Sequence, residues 1–350
     1  MWQFDTSPCH RVVIPALSAF CEAAAALGIA VATAEPLARH TTFHIGGPAD
    51  LYVAVDRIAR LERLAETAAA HALPFTVLGG GSNILVSDRG IRGLVIANQA
   101  RDFGLTLADI GLEEPTDRVP LTDDTGPVVV AAAGAALAGL ARWTVKQGWA
   151  GLEWAVSIPG TVGGAVIGNA GAHGGDIAGT LAWALVWHAG QGRARLTADE
   201  LAFTYRSSRL KQQLAAGDPP PVVLAAGFRL TPGDAAAIAA RADAFLARRR
   251  ATQPTEPSAG SIFRNPPGDH AGRLIEAAGL KGERIGGAQI SPRHANFIVN
   301  VAQATATDVV ALIDLCRRRV FDLFGVELVP EIQFLGDWPA QPPYKSLFTT

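Results

Sequence analysis

The stretch from Trp154 to Gly175 carries no charged side chain, yet it holds seven glycines, Pro159 and Asn169. Glycine and proline at that density forbid a continuous membrane helix, so the segment must be loop-rich. Two other runs share its character: Ile45-Gly46-Gly47-Pro48-Ala49 and Leu78-Gly79-Gly80-Gly81-Ser82-Asn83-Ile84-Leu85. Without a Cβ, successive backbone N–H groups can converge on an anion and form a nest. The run at Leu78 follows a predicted strand, so its amides are placed to cradle a pyrophosphate, with Ser82 and Asn83 adding side-chain donors. It matches neither G-x-G-x-x-G nor G-x-x-x-x-G-K-[ST], which disfavours a Rossmann site and a P-loop. Tight turns alone would account for one such loop; three long ones in a single chain favour a bound ligand.

The rest of the composition narrows the class. With 350 residues the chain exceeds the usual single-core limit, and 49 % hydrophobic residues provide a sizeable core. Thirty Lys and Arg against 32 Asp and Glu give −2, which excludes a strongly basic nucleic-acid binder. Neither a nucleic acid nor a membrane is expected as a partner. The cysteines Cys9, Cys21 and Cys316 are odd in number and lack C-x-x-C spacing, so a reducing cytoplasm is expected and no disulfide framework. The acidic residues form no dense cluster, and no metal is expected. The apolar run 12–34 imitates a secretory leader, but Pro15 and Glu22 interrupt it. Leu17, Phe20, Ala24 and Leu27 recur at helical spacing, which predicts an amphipathic N-terminal helix.

Periodicity predicts strands at 51–55, 75–78, 84–86, 94–97, 128–132 and 222–230, and helices at 57–71 and 134–147. A hairpin is expected around 189–192. Thr231-Pro232-Gly233-Asp234 opens a long helix to about Arg250, and a helix over 308–324 is expected to be capped by Thr307 and closed by Gly325. Residues 101–127 read as a surface excursion and the tail after Gly336 as loose. The division expected is a lead-in over 1–34, a two-part domain over 35–232 (about 35–98 and 99–232), a smaller domain over 233–336, and a tail over 337–350.

Eight segments occur in an order that identifies a family resemblance: TTFHIGGPAD (41–50), LGGGSNIL (78–85), SIPGTVGGAVIGNAGA (157–172), YRSSR (205–209), GSIFRNP (260–266), AGRLIEAAGLKG (271–282), SPRHANFIVN (291–300) and VPEIQFLG (329–336). Over about 35–336 the chain resembles the UDP-N-acetylenolpyruvoylglucosamine reductases of peptidoglycan precursor synthesis, in their shorter subtype without a tyrosine-bearing insertion. The resemblance implies an α+β fold: a two-part FAD-binding domain of the vanillyl-alcohol-oxidase/PCMH type plus a C-terminal α+β substrate domain. It implies non-covalent FAD, NADPH as co-substrate, and UDP-N-acetylglucosamine enolpyruvate as substrate. A monomer is the simpler expectation for its assembly.

By the same resemblance, the flavin is held by Ile45, Gly46, Gly79, Gly80, Gly81, Ser82, Asn83, Ile158, Pro159, Gly160, Val162, Gly163, Gly164, Asn169, Gly171 and Ala172. The chemistry falls to three residues. Arg206 would bind the carboxylate of the enolpyruvyl group through its permanently charged fork. Ser261 would donate a proton to the α-carbon, and Glu331 would help stabilise the enolate-like intermediate. Asn265 would contact substrate alongside Arg206, Ser261 and Glu331. His294, a lone histidine before a strand, is read as structural. Two residues depart from the family pattern: His44 stands where Arg or Lys is common, and His173 where Tyr is. A flavin oxidase acting on alcohols or sugars, and a nucleotide-sugar binder without chemistry, are alternatives; Arg206, Ser261 and Glu331 together argue against both.

Overall fold

The structure, a computed structural model, describes residues 8–113, 122–123 and 126–339, with side chains from Pro15 onward except at 122–123. The middle of the expected excursion and the end of the expected loose tail lie outside the described residues. The chain forms two compact units that interleave in sequence. One comprises 1–35, 49–79 and 92–242, the other 36–48, 80–91 and 243–350.

The first unit contains two larger sheets, besides two short two-stranded pairs. The strands Ala32–Pro36, Pro48–Val55, Ile91–Asn98 and Phe75–Leu78 lie side by side in that order, the last two parallel. The larger sheet is antiparallel along Gly192–Leu196, Leu181–His188, Val222–Arg229, Gly126–Ala132 and Phe103–Gly104. Its hairpin turns where Ala189-Gly190-Gln191 predicts it, His188 facing Gly192. The helix Ile58–Ala70 buries Ile58, Leu61, Leu64, Ala65 and Ala68, the apolar stripe its spacing predicts. That stripe shares one core with Leu51 and Ile96 of the first sheet and with Val130, Trp183 and Leu224 of the second. The N-terminal helix forms over Pro8–Ala26 and contributes Phe20 and Ala24 to this core.

In the second unit the strands Ser258–Ser261, Phe297–Asn300, Ala288–Ile290 and Arg284–Ile285 form an antiparallel sheet. The helices Ala271–Ala277 and Ala306–Phe324 share a core with it, through Leu274, Ile275, Val309, Ile313 and Cys316 among others. Phe43, Ile45 and Leu85, far earlier in sequence, complete that core. A short parallel pair joins Ile84–Val86 to Gln333–Leu335.

Two expectations are corrected. The helix expected over 308–324 starts at Ala306, and its cap is Thr305, whose hydroxyl accepts from Asp308 N–H while Asp308 accepts from Thr305 N–H. Thr307 instead donates its hydroxyl to Asp88 at 2.7 Å. The segment read as loop-rich contains a short helix, Val162–Gly168, ended by Asn169 in the left-handed region. Among the described residues no helix is long and apolar enough to cross a membrane.

Candidate active site

In the second unit backbone pairing brings the stretch that follows Ser261 against the stretch that ends at Glu331. Ser261 ends the strand Ser258–Ser261, and the next residue's carbonyl, Ile262 O, accepts from Glu331 N–H at 2.7 Å. Phe263 forms a bridge with Pro330, and Arg264 N–H donates to Val329 O at 2.9 Å. The backbone just after Ser261 is therefore joined to that of Glu331, although 70 residues of sequence separate them. Asn265 is exposed, and its Oδ1 accepts from Ala271 N–H at 3.1 Å, at the start of the helix Ala271–Ala277.

The glycine loop at 80–83 belongs to the same unit and is tied to the same strands. Gly81 O accepts from Thr42 N–H at 3.0 Å, and Asn83 O accepts from Gln333 N–H at 2.9 Å. Asn83 Nδ2 donates to the carbonyl of Glu331 at 3.3 Å. Thr42 also donates its hydroxyl to Ser258 O at 2.7 Å, so one threonine joins the glycine loop to the strand that ends in Ser261. Ile45 and Gly46, with His44, line a cavity of about 500 Å³ bordered also by Asp88 and by residues 300–305. His40 and His44 stand four residues apart, but only His40 is helical, in a short 3₁₀ turn; among the described residues no group of His, Cys, Asp and Glu is arranged to hold a metal.

Arg206 belongs to the first unit, together with Gly79 and the segment 157–172. It occupies a tight turn closed by Thr204 N–H to Ser207 O at 3.0 Å and Ser207 N–H to Thr204 O at 3.1 Å. Its φ is 57°, a left-handed conformation that costs a bulky residue about 1–3 kcal/mol. The turn is anchored to the glycine-rich segment from both sides. Ser208 donates to Ile167 O at 2.7 Å, and Asn169 Nδ2 donates to Thr204 O at 3.0 Å. Lys211 Nζ holds the carbonyl of Arg206 at 3.0 Å, and the guanidinium lies 5.5 Å from the Tyr205 ring.

Packing explains some of the glycines: a Cβ on Gly79 would lie 2.3 Å from Thr161 Oγ1, and one on Gly81 2.2 Å from His40 O. Gly164 is different. It is exposed, and a Cβ there would meet nothing nearer than Thr161 Oγ1 at 3.7 Å, so protein packing does not require glycine at this position. The open face leaves room for a ligand to approach the backbone there. Within the second unit, the amides of Gly80 and Gly81 with the hydroxyl of Ser82 and the carboxamide of Asn83 suit a pyrophosphate-bearing cofactor. The carboxamide of Asn169, buried, is engaged by protein: Oδ1 accepts from Ala178 N–H at 3.1 Å, and Nδ2 reaches Asp176 as well as Thr204.

The two departures find structural places. His173 and Gly174 both have positive φ and turn the strands Gly171–Ala172 and Gly175–Asp176, so His173 is an exposed hairpin residue. His44 has φ 55°, and Asn300 Nδ2 donates to the adjoining carbonyl of Phe43 at 3.1 Å. His294 packs edge-on against Phe297 at 5.0 Å, and burial pulls its imidazole below the usual histidine range. Sequence reasoning missed Thr42, Asn296 and Asn300 as individuals, although each stands in a quoted segment; for Asn296 and Asn300 the signal was a polar residue flanked by apolar ones in a strand-like run.

Residues 253–335 match the family model described as UDP-N-acetylenolpyruvoylglucosamine reductase, C-terminal domain, and residues 49–188 match that of an FAD binding domain. UDP-N-acetylenolpyruvoylglucosamine reductase 2 of Symbiobacterium thermophilum is 47 % identical over 313 residues, 89 % of this chain and 94 % of that one. The UDP-N-acetylenolpyruvoylglucosamine reductase of Chloroflexus aurantiacus is 44 % identical over 314 residues, 89 % of this chain and 99 % of that one. The crystal structure of the Thermus caldophilus UDP-N-acetylenolpyruvylglucosamine reductase superposes with a TM-score of 0.68 at 34 % identity, covering 88 % of this chain and 98 % of that one. The expected α+β class, an FAD-binding domain with a C-terminal domain of this reductase type, is borne out by these matches.

Proposed function

This chain belongs to the UDP-N-acetylenolpyruvoylglucosamine reductase family, and on that premise we propose that it reduces UDP-N-acetylglucosamine enolpyruvate to UDP-N-acetylmuramate with electrons from NADPH, in peptidoglycan precursor synthesis. It is an FAD-dependent oxidoreductase. The observation that supports the residue assignment is the backbone hydrogen bond from Glu331 N–H to Ile262 O, which joins Glu331 to the residue after Ser261.

FAD, when bound, would supply hydride chemistry for the enolpyruvyl group, with NADPH as the source of electrons. The residues assigned to hold FAD are Gly79 and the 158–172 positions in the first unit, and Ile45, Gly46 and 80–83 in the second. The protein's own tasks are charge and proton. Negative charge develops at the carbon beside the carboxylate, and Arg206 supplies a fixed cation for it. The strained turn and its anchors spend no reorganisation at the moment of reaction. Ser261 gives its hydroxyl proton to the α-carbon. An unassisted hydroxyl is a poor acid, so a polar neighbour must accommodate the oxygen it leaves. Glu331 serves the enolate-like intermediate in its protonated or cation-paired form, because a bare carboxylate would repel it. Asn265 has its Oδ1 occupied by Ala271 N–H, so its Nδ2 amide is what it offers to substrate.

The test separates the two half-reactions under anaerobic stopped flow. The purified protein should be yellow, bleach with NADPH, and recover colour with the enolpyruvyl sugar. Ser261→Ala should leave bleaching nearly unchanged and slow the recovery by roughly 10³-fold. Equal losses in both steps would remove Ser261 from the proton-donating role, and bleached wild type that the sugar fails to re-oxidise would refute the substrate.

A further inference from the structure

We infer that Asn296 is a positioning residue for the proton transfer: its carboxamide replaces a missing length of strand and fixes the backbone that aims Ser261. The inference rests on the reductase reading and deepens it. In the second unit's sheet Ser261 pairs with Phe297, and the ladder slips between Ser258 and Ser261, where Gly260 takes φ 78°. A bulge of this kind re-aims one side chain at the expense of continuous pairing.

The partner strand gives out at the same point. Its chain turns back before Phe297, with Phe297 N–H donating to His294 O at 2.9 Å and Ser291 N–H to Phe297 O at 2.8 Å. Ile262 and Phe263, the two residues after Ser261, would have no ladder on that side. Asn296 supplies one. Its main-chain carbonyl accepts from Ile262 N–H at 2.8 Å, its Oδ1 accepts from Phe263 N–H at 2.9 Å, and its Nδ2 donates to Phe263 O at 2.8 Å. The side chain thus makes the pair of bonds that a strand residue would make with its backbone.

Burial makes these bonds hard to replace. Asn296 is 4 % exposed and Ile262 and Phe263 are 1 % each, so a lost partner leaves a buried polar group rather than one that water can satisfy. On the opposite side Ile262 O carries the bond from Glu331 N–H. One short piece of backbone therefore holds the orientation of Ser261 and the attachment of Glu331, and Asn296 is the clamp on it. Displacement of a reacting group by about 1 Å can cost on the order of 10²-fold in rate.

The experiment uses the full-length, FAD-loaded protein and Asn296→Asp, which keeps the shape and the acceptor for Phe263 N–H but cannot donate to Phe263 O. Bleaching by NADPH should stay within about twofold of wild type, while re-oxidation by the enolpyruvyl sugar slows about 10- to 100-fold. The solvent deuterium isotope effect on that second step should rise, as proton transfer becomes slower. A lower melting temperature with both steps and the isotope effect unchanged would make Asn296 structural only and overturn the inference. Hydrogen exchange on the wild-type holoenzyme decides the matter where the variant fails to load flavin: the Ile262 and Phe263 amides should be protected like core amides, and exchange at loop rates would overturn the clamp. A wild type that the sugar cannot re-oxidise would remove the reductase reading while leaving that protection in place, so the two failures are distinguishable.

Discussion

Glu153 shows how a single buried charge is made tolerable close to the glycine-rich segment. It is 7 % exposed, and burial alone would raise its carboxyl; the Arg241 guanidinium at 2.7 Å and the Gly151 N–H at 2.6 Å outweigh that and hold it below the usual carboxylate range. A carboxyl depressed in the folded state stabilises the fold above its unfolded value and loses that contribution as pH falls through the folded one. Glu153→Gln should therefore be about 1–2 kcal/mol less stable at pH 7, the exposed side of Arg241 keeping the cost modest. Urea titrations should show the gap closing below the usual carboxylate range; a gap that persists unchanged at pH 3 would contradict the ion-pair account. At this scale sequence reading works by residue type and motif. Arg206, Ser261 and Glu331 were singled out from their segments, but the left-handed turn at Arg206 and the pairing of Glu153 with Arg241 were not legible, since both depend on neighbours far along the chain. Of the eight described non-glycine residues with positive φ, His44, Asn169, His173 and Arg206 fall in or beside the quoted segments, while Ala34, Ala72, Ala202 and Gln303 do not.

Elements were legible where one periodicity governs a run. Phe75–Leu78 and Ile84–Val86 fall where the sequence puts them, and the stripe on Ile58–Ala70 faces its core as read. The cap of Ala306–Phe324 was misplaced by two residues because Thr305 and Thr307 are both good caps in sequence, and only the fold shows what each one meets. What it shows is an additional cap from elsewhere. Asp88 accepts from Ala306 N–H at 2.7 Å, Thr307 N–H at 3.0 Å and the Thr307 hydroxyl at 2.7 Å. These are first-turn donors without partners inside the helix, at its positive end. Asp88→Ala should cost about 0.5–2 kcal/mol, comparable to removing an N-cap, and Asp88→Asn less, since an amide oxygen still accepts. Chemical denaturation of the three proteins tests this, and an unaltered midpoint in the alanine variant would show the contacts contribute nothing.

For the whole molecule, what the linear reading could not show is interleaving, because nothing local marks a strand whose partner lies far ahead. Ile84–Val86 pairs with Gln333–Leu335, and Phe43, Ile45 and Leu85 sit fully inside a core otherwise built from residues after 258. The reason is topological: parallel pairing needs a crossover, and here the crossover is most of the chain. This arrangement has a consequence for any attempt to isolate the C-terminal domain. A fragment of residues 243–350 would lack those three side chains, each worth about 1.5–3 kcal/mol on burial, together with the only strand paired to Gln333–Leu335 among the described residues. Domains are stable by about 5–15 kcal/mol in all, so a deficit of this size consumes most of the margin. The fragment should show no cooperative thermal transition by circular dichroism and little protection in amide exchange. Restoring residues 36–48 and 80–91 through designed linkers, in the same chain, should bring the transition back. A fragment 243–350 that melts cooperatively on its own would mean that the early segments decorate this unit without completing it, and that Ser261 and Glu331 are held by the later residues alone.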